Sequence, residues 1–126
     1  MKREQECRFV RLLPDGTAVV RLGDAEHEIE MEGIRVPQPP SPIYVEIFTE
    51  RIPLLVKPLR CLVNTELPNG RIRGKLMCFA WNDKSGDVWL DLATVLLDEG
   101  VVHVADGEFS DREDYLRHER GTRSGV

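Results

Sequence analysis

Two stretches of this chain place like charges on alternate residues. Glu28, Glu30 and Glu32 alternate with His27, Ile29 and Met31, and Arg71, Arg73 and Lys75 alternate with Ile72 and Gly74. In a β-strand, alternate side chains share a face. A row of cations on one strand face can meet phosphates in a nucleic-acid cleft. It can equally pair across strands with a row of carboxylates. Three neighbouring carboxylates repel one another unless a cation or a basic partner stands near. The glutamate row can therefore be a metal site, a contact for a basic partner, or a solvated strand face. Arg35 beside the cationic row would extend it, giving Arg35, Arg71, Arg73 and Lys75 as the candidate nucleic-acid surface.

Two further groups bear on binding. Trp81 and Trp89 flank the turn Asn82-Asp83-Lys84-Ser85-Gly86. Exposed, they could stack bases or grip a partner; otherwise they pack against the core. Cys7, Cys61 and Cys78 are odd in number with no short-range pairing, and the last two lie among apolar residues. Reduced, buried thiols in a cytoplasmic protein are the expectation. His27, His103 and His118 are too dispersed for a zinc-type ligand set.

The elements that must hold these residues are legible from periodicity and turn chemistry. Cys7 to Leu13 alternates loosely and ends at the turn signal Pro14-Asp15-Gly16. Thr17 to Leu22 is β-rich, Gly23 to Glu26 reads as a hairpin turn, and His27 to Ile34 alternates clearly. This predicts a three-stranded meander. Pro37 to Pro42 carries four prolines and predicts an extended loop. Ser41-Pro42 fits an N-cap followed by proline at the first helical position. Ile43 and Ile47, and Val45, Phe48 and Ile52, sit at helical spacings, and Pro53 should end or kink that helix. Tyr44 and Phe48, one turn apart, are expected in the core.

Leu59 to Leu67 and Arg71 to Trp81 predict two strands joined through Asn69-Gly70. Val88, Leu92, Val95 and Leu96 predict an amphipathic helix ending at Gly100. Val101 to Val104 is a short apolar strand. Ser110-Asp111-Arg112-Glu113 is a capping box opening a last helix through about Arg120, with Gly121 to Val126 expected to fray. Tyr115, Leu116 and Glu119 on that helix are assigned to packing. The expected fold is mainly β with α: a five-stranded OB-fold barrel with about three helices.

A chain of 126 residues suits one domain spanning 1–126, and 41% apolar with 31% charged residues is ordinary for a globular protein. No apolar run is long enough to cross a membrane, and the start of the chain leads into no apolar signal core. A cytoplasmic location is expected. The net charge of −5 argues against tight nonspecific nucleic-acid binding, yet allows a local basic patch.

Asp15-Gly16-Thr17, Gly33-Ile34-Arg35-Val36-Pro37-Gln38, Gly70-Arg71-Ile72-Arg73-Gly74-Lys75-Leu76 and Leu96-Leu97-Asp98-Glu99-Gly100-Val101-Val102-His103-Val104 stand in this order. Together they resemble the staphylococcal nuclease-like (thermonuclease) domain family over nearly the whole chain. In that family the first turn reads Asp-Gly-Asp-Thr, and the third strand leads into a motif like Ile-Asp-x-Pro-Glu with an arginine five residues before its aspartate. A later Tyr-Gly-Arg opens a strand, and a Leu-x-x-x-Gly-x-Ala-x-Val segment follows. The resemblance implies the OB-fold barrel and calcium-dependent hydrolysis of nucleic-acid phosphodiesters.

The residues that would do that chemistry are replaced here. Without gaps, Asp15 takes the first aspartate position and Thr17 the metal-binding second; a one-residue gap would put Asp15 on the second. The metal aspartate becomes Arg35, the glutamate becomes Gln38, and the upstream arginine becomes Glu30. The later arginine falls on Gly74, with Arg73 or Arg71 substituting only if the register slips. Calcium needs several oxygen ligands, a cation at Arg35 repels it, and Gln38 cannot take a proton from water. The expectation is therefore no catalysis, no metal and no cofactor. The domain would act as a binding module for single-stranded nucleic acid or a protein partner, away from any membrane, with its oligomeric state left open. The alternative is a divergent metal-dependent nuclease using Asp15, Arg35 and Arg73, with calcium, or a metal on Asp15, Glu30 and Glu32.

Overall fold

The computed structural model describes residues 3–55 and 57–124. β1 (Arg3–Leu12), β2 (Ala18–Leu22) and β3 (Ala25–Met31) form the expected meander, with Phe9 opposite Val20 and Ala18 opposite Ile29. A two-residue strand β4 (Ile34–Arg35) follows, then the proline loop. Helix α1 (Pro42–Glu46) starts where Ser41 Oγ accepts the Tyr44 N–H at 3.1 Å. It continues as one π-helical turn (Ile47–Arg51) and one 3-10 turn (Ile52–Leu54), so the chain unwinds around Pro53 rather than ending sharply before it. A proline ring cannot donate a backbone hydrogen bond, which fits this loosening. Tyr44, Ile47, Phe48 and Ile52 are buried, whereas Ile43 and Val45 face solvent.

β5 (Leu59–Glu66) and β6 (Ile72–Asp83) form the second expected hairpin. β7 (Gly86–Asp91) was not expected as a strand. Val88, read as the start of a helix, instead pairs with Trp81. Helix α2 (Leu92–Asp98) begins only after Asp91, whose Oδ1 accepts the Ala93 N–H at 3.0 Å. The four-residue interval from Val88 to Leu92 mimicked a helical turn, while the β-rich Val88-Trp89-Leu90 and an aspartate cap decided otherwise. α2 closes through Gly100, which has positive φ, and through the Val101 N–H on Leu96 O at 3.2 Å.

β8 (His103–Val104) pairs with β4, so Val101 and Val102 are buried but unpaired as strand. α3 (Arg112–Ser124) runs past the expected end near Arg120 and through Gly121. Glycine costs a helix only about 1 kcal/mol, too little to break continuing i to i+4 bonding. The expected fraying of 125–126 lies outside the described residues.

The main sheet has the order β3-β2-β1-β5-β6-β7, antiparallel between neighbours. One further pairing, parallel, joins β3 to β6: Ile29 with Ile72, Glu30 with Arg73, Met31 with Gly74. β1, β2, β3, β6 and β5 thereby form a closed ring, and β7 stays outside it. Val20, Ile29, Cys61, Ile72 and Leu76 fill the ring. Tyr44 and Phe48 cover it from the α1 segment, Leu92, Leu96 and Leu97 from α2, and Tyr115 from α3. All three cysteines are free, with Cys7 and Cys61 buried and Cys78 half-buried. Among the described residues no helix is long and apolar enough to cross a membrane.

Candidate functional site

The first turn, β3 and β4 enclose a cavity of about 180 Å³, whose polar wall is Asp15, Thr17, Glu30, Gln38 and Tyr44. The turn folds on itself through the Gly16 N–H on Leu13 O and the Leu13 N–H on Thr17 O, both 2.9 Å. Asp15 Oδ1 accepts the Thr17 N–H at 3.0 Å. That bond, then the Thr17 side chain and the Arg71 guanidinium, hold the Asp15 carboxyl below its ordinary value, partly opposed by desolvation.

Two of the wall residues serve the backbone. Gln38 Nε2 donates to Asp15 O at 2.7 Å and to Val36 O at 3.2 Å, tying the proline loop to the turn. Tyr44 Oη donates to Gly16 O at 2.5 Å. Burial first, and the nearby Asp15 charge second, push the Tyr44 phenol upward, so it is a hydrogen-bond donor and not a base.

The cationic row lies on the outer side of the ring, and each member has a carboxylate. Arg71 Nε reaches Glu28 Oε1 at 3.1 Å, with Asp15 Oδ2 3.9 Å from Nη2. Arg73 Nη2 reaches Glu30 Oε1 at 3.1 Å. Lys75 Nζ pairs with Asp111, stands 3.5 Å from Asp91 Oδ2 and lies 5.5 Å above the Tyr115 ring. Tyr115 Oη in turn donates to Asp91. Arg35 does not join this row. It sits opposite His103 in the β4–β8 pair, exposed, with no carboxylate in ion-pair reach among the described residues. The expected four-member basic surface is thus split, and three of its members are neutralised by Glu28, Glu30 and Asp111.

The metal candidates are not brought together either. Asp15 and Glu30 share the cavity, whereas Glu32 lines a neighbouring groove and accepts from Asn64 Nδ2. Among the described residues no three His, Cys, Asp or Glu side chains gather as a metal-binding group. Thr17, Gln38 and Arg35 supply neither the carboxylates nor the net negative charge that calcium requires. Chemically the cavity offers two carboxylates, an amide and a high-pKa phenol, with no histidine or lysine to activate water.

Gly74 closes one question of register. It is buried on the inner face, and an ideal Cβ there would lie 2.2 Å from Leu62 O. No side chain fits this position, least of all an arginine. Arg73, one residue earlier, points outward to Glu30.

Several site residues were invisible in sequence. Asp91 and Asp111 gave no sign that they would embrace Lys75, because Asp91 is set there by the β6–β7 pairing, opposite Met77, and Asp111 comes from the segment just before α3. Trp81, open in sequence between a contact residue and a packed one, is 53% exposed. Trp89 is half-buried, edge-on to Phe79 at 5.7 Å, with the Arg60 guanidinium 4.5 Å above its ring. The chain matches no protein-family model and no curated protein.

Proposed function

We propose that this chain is a non-catalytic binding domain on the staphylococcal nuclease-like plan, folded as an OB barrel, and that its partner is a protein rather than a nucleic acid. The observation that carries the reading is the pairing of every cation in the strand row: Arg71 with Glu28, Arg73 with Glu30, Lys75 with Asp111. A phosphate approaching that face would have to displace a carboxylate at each contact, and affinity for nucleic acid rests on freely available cations. The ring order and the single parallel seam β3–β6 support the OB reading. The same cavity that would serve hydrolysis contains Gln38 tied to main chain and Thr17 in place of a carboxylate, which supports loss of catalysis. A cytoplasmic location suits the three reduced cysteines.

The deciding experiment is fluorescence anisotropy with labelled single-stranded DNA and RNA at low salt, run beside cleavage assays with calcium, magnesium or manganese. The expected outcome is no saturable binding and no cleavage above buffer. Tight, salt-sensitive binding lost on reversing Arg71 and Arg73 would return the nucleic-acid reading. The nuclease alternative draws on Asp15 and Glu30 sharing one cavity. Metal-dependent cleavage abolished by Asp15→Ala would establish it instead.

A further inference from the structure

α3 is held to the rest of the chain differently from the other helical segments. α1 and its continuation bury Tyr44, Ile47, Phe48 and Ile52, and α2 buries Leu92, Ala93, Leu96 and Leu97. From Arg112 to Gly121, α3 buries Tyr115 alone. A helix of 13 residues is marginal in water by itself, so α3 persists through its docking. That docking is largely polar and reaches four elements. Lys75 on β6 pairs with Asp111, just before the helix, and Asp91 at the end of β7 accepts from Tyr115 Oη. Asp98 Oδ1 on α2 lies 2.7 Å from His118 Nδ1, and Glu119 Oε2 accepts the Val104 N–H of β8 at 2.9 Å.

The apolar part is one aromatic seat. Phe109 and Tyr115 pack with ring centroids 5.7 Å apart. Both rings lie on Gly33, where an ideal Cβ would be 2.6 Å from Phe109 and 2.7 Å from Tyr115. Leu116 adds a half-buried contact with the core.

Between β8 and this seat the chain passes through Gly107. It is exposed, has a φ of +97°, and has nothing within 4 Å of an added Cβ. Hinges are residues at element ends that absorb large φ/ψ changes, and glycine does so at least steric cost. In the docked state Arg112 Nε donates to Gly107 O at 2.8 Å and closes the joint. α3 supplies no strand pairing, so its departure leaves every pairing of the ring in place.

Elements with few buried apolar contacts open before the rest of a fold. We propose that α3 is a hinged strap, which turns about Gly107 and undocks as one unit while the strand ring stays closed. Undocking bares Lys75, whose side chain is 14% exposed when the strap is down. It also takes Glu108 and Phe109 out of the wall of the groove that Glu30, Glu32 and Arg73 line. Asp91 is the latch between strap and sheet. Its Oδ1 caps α2 at the Ala93 N–H, while its Oδ2 accepts from Tyr115 and stands 3.5 Å from Lys75 Nζ.

The test is hydrogen exchange of the full chain, followed by NMR in the regime that reports equilibrium opening. Amides from Tyr115 to Gly121 should share one opening constant, about a hundredfold larger than that of β5 and β6 amides. Tyr44→Phe acts on the cover that stays in place. It should speed β5 and β6 exchange about tenfold and leave α3 unchanged. Leu116→Ala weakens the strap at a point away from Lys75 and should speed α3 exchange about tenfold. Acetylation of Lys75, read by mass spectrometry against exposed Lys84, should rise by the same factor in Leu116→Ala and stay constant in Tyr44→Phe. A common opening constant for α3 and the ring, or equal acceleration of both by Tyr44→Phe, overturns the proposal. Exchange that grades residue by residue toward the end of α3 marks fraying and overturns it too. So does Lys75 acetylation indifferent to Leu116→Ala, because Lys75 would then not lie beneath the strap.

Discussion

Arg73 and Glu30 meet across the parallel seam between β3 and β6, Nη2 to Oε1 at 3.1 Å. Two residues back along both strands, Arg71 meets Glu28 at the same distance. Both pairs are substantially exposed, so each contributes at most about 1 kcal/mol to stability. Their larger effect is electrostatic: two glutamates cancel the field of two arginines on the outer face of the ring.

Removing that cancellation should create an activity. The double variant Glu28→Gln, Glu30→Gln leaves Arg71 and Arg73 in place but unmasked. Single-stranded DNA should bind it saturably at low salt, where the wild type does not, with affinity falling as salt rises. Anisotropy titrations at two salt concentrations measure this. Equal binding by both proteins would sink the masking argument.

Gly74 and Gly121 make a matched pair for chemical denaturation. At Gly74 an added Cβ meets Leu62 O, a backbone atom that cannot swing away. Gly74→Ala should destabilise by about 2–4 kcal/mol, and Gly74→Arg should not fold. Gly121 is helical with nothing within 4 Å of an added Cβ. Gly121→Ala should be neutral or stabilising by up to about 1 kcal/mol.

Tyr44→Phe removes a buried hydroxyl that donates to Gly16 O. Leaving that carbonyl without its donor should cost about 1–2 kcal/mol. The loss should appear as a lower urea midpoint with an unchanged denaturant slope.

The buried thiols predict an alkaline limit to stability. Burial pushes Cys7 from its ordinary 9.0 up to about 12, with Cys61 adding to the rise, and pushes Cys61 up to about 11. A raised acid keeps its neutral form in the folded chain, while the unfolded chain ionises above 9. Stability is therefore fully present below pH 9 and declines as pH climbs through 11 and 12. Cys7→Ala with Cys61→Ala should flatten this decline, read from urea midpoints between pH 8 and 11. At pH 8, native protein should resist iodoacetamide at both positions and react once unfolded.

Much of this architecture could be read from single residues. Pro14-Asp15-Gly16, the Gly23-Asp24 turn, Ser41-Pro42 and Asn69-Gly70 each carry a local signal, and each marks a boundary found in the fold. β7 was missed because a short apolar run beside a real helix shares that helix's spacing. The partners of Arg71 and Arg73 were on view as a row of glutamates. Their register was not, because a parallel pairing between segments 43 residues apart leaves no trace in either segment alone. Lys75 shows the same limit, since Asp91 reaches it only through the β6–β7 pairing and Asp111 only from the segment leading into α3.

The parallel seam itself spans three residue pairs, whereas every other junction in the ring is antiparallel and longer. Unzipping it would convert the closed ring into a curved open sheet without breaking any hairpin. The same motion would part Arg71 from Glu28 and Arg73 from Glu30, because each pair straddles it. Were the seam to open, the outer face would change from nearly neutral to an acidic lip on β3 and a basic lip on β6.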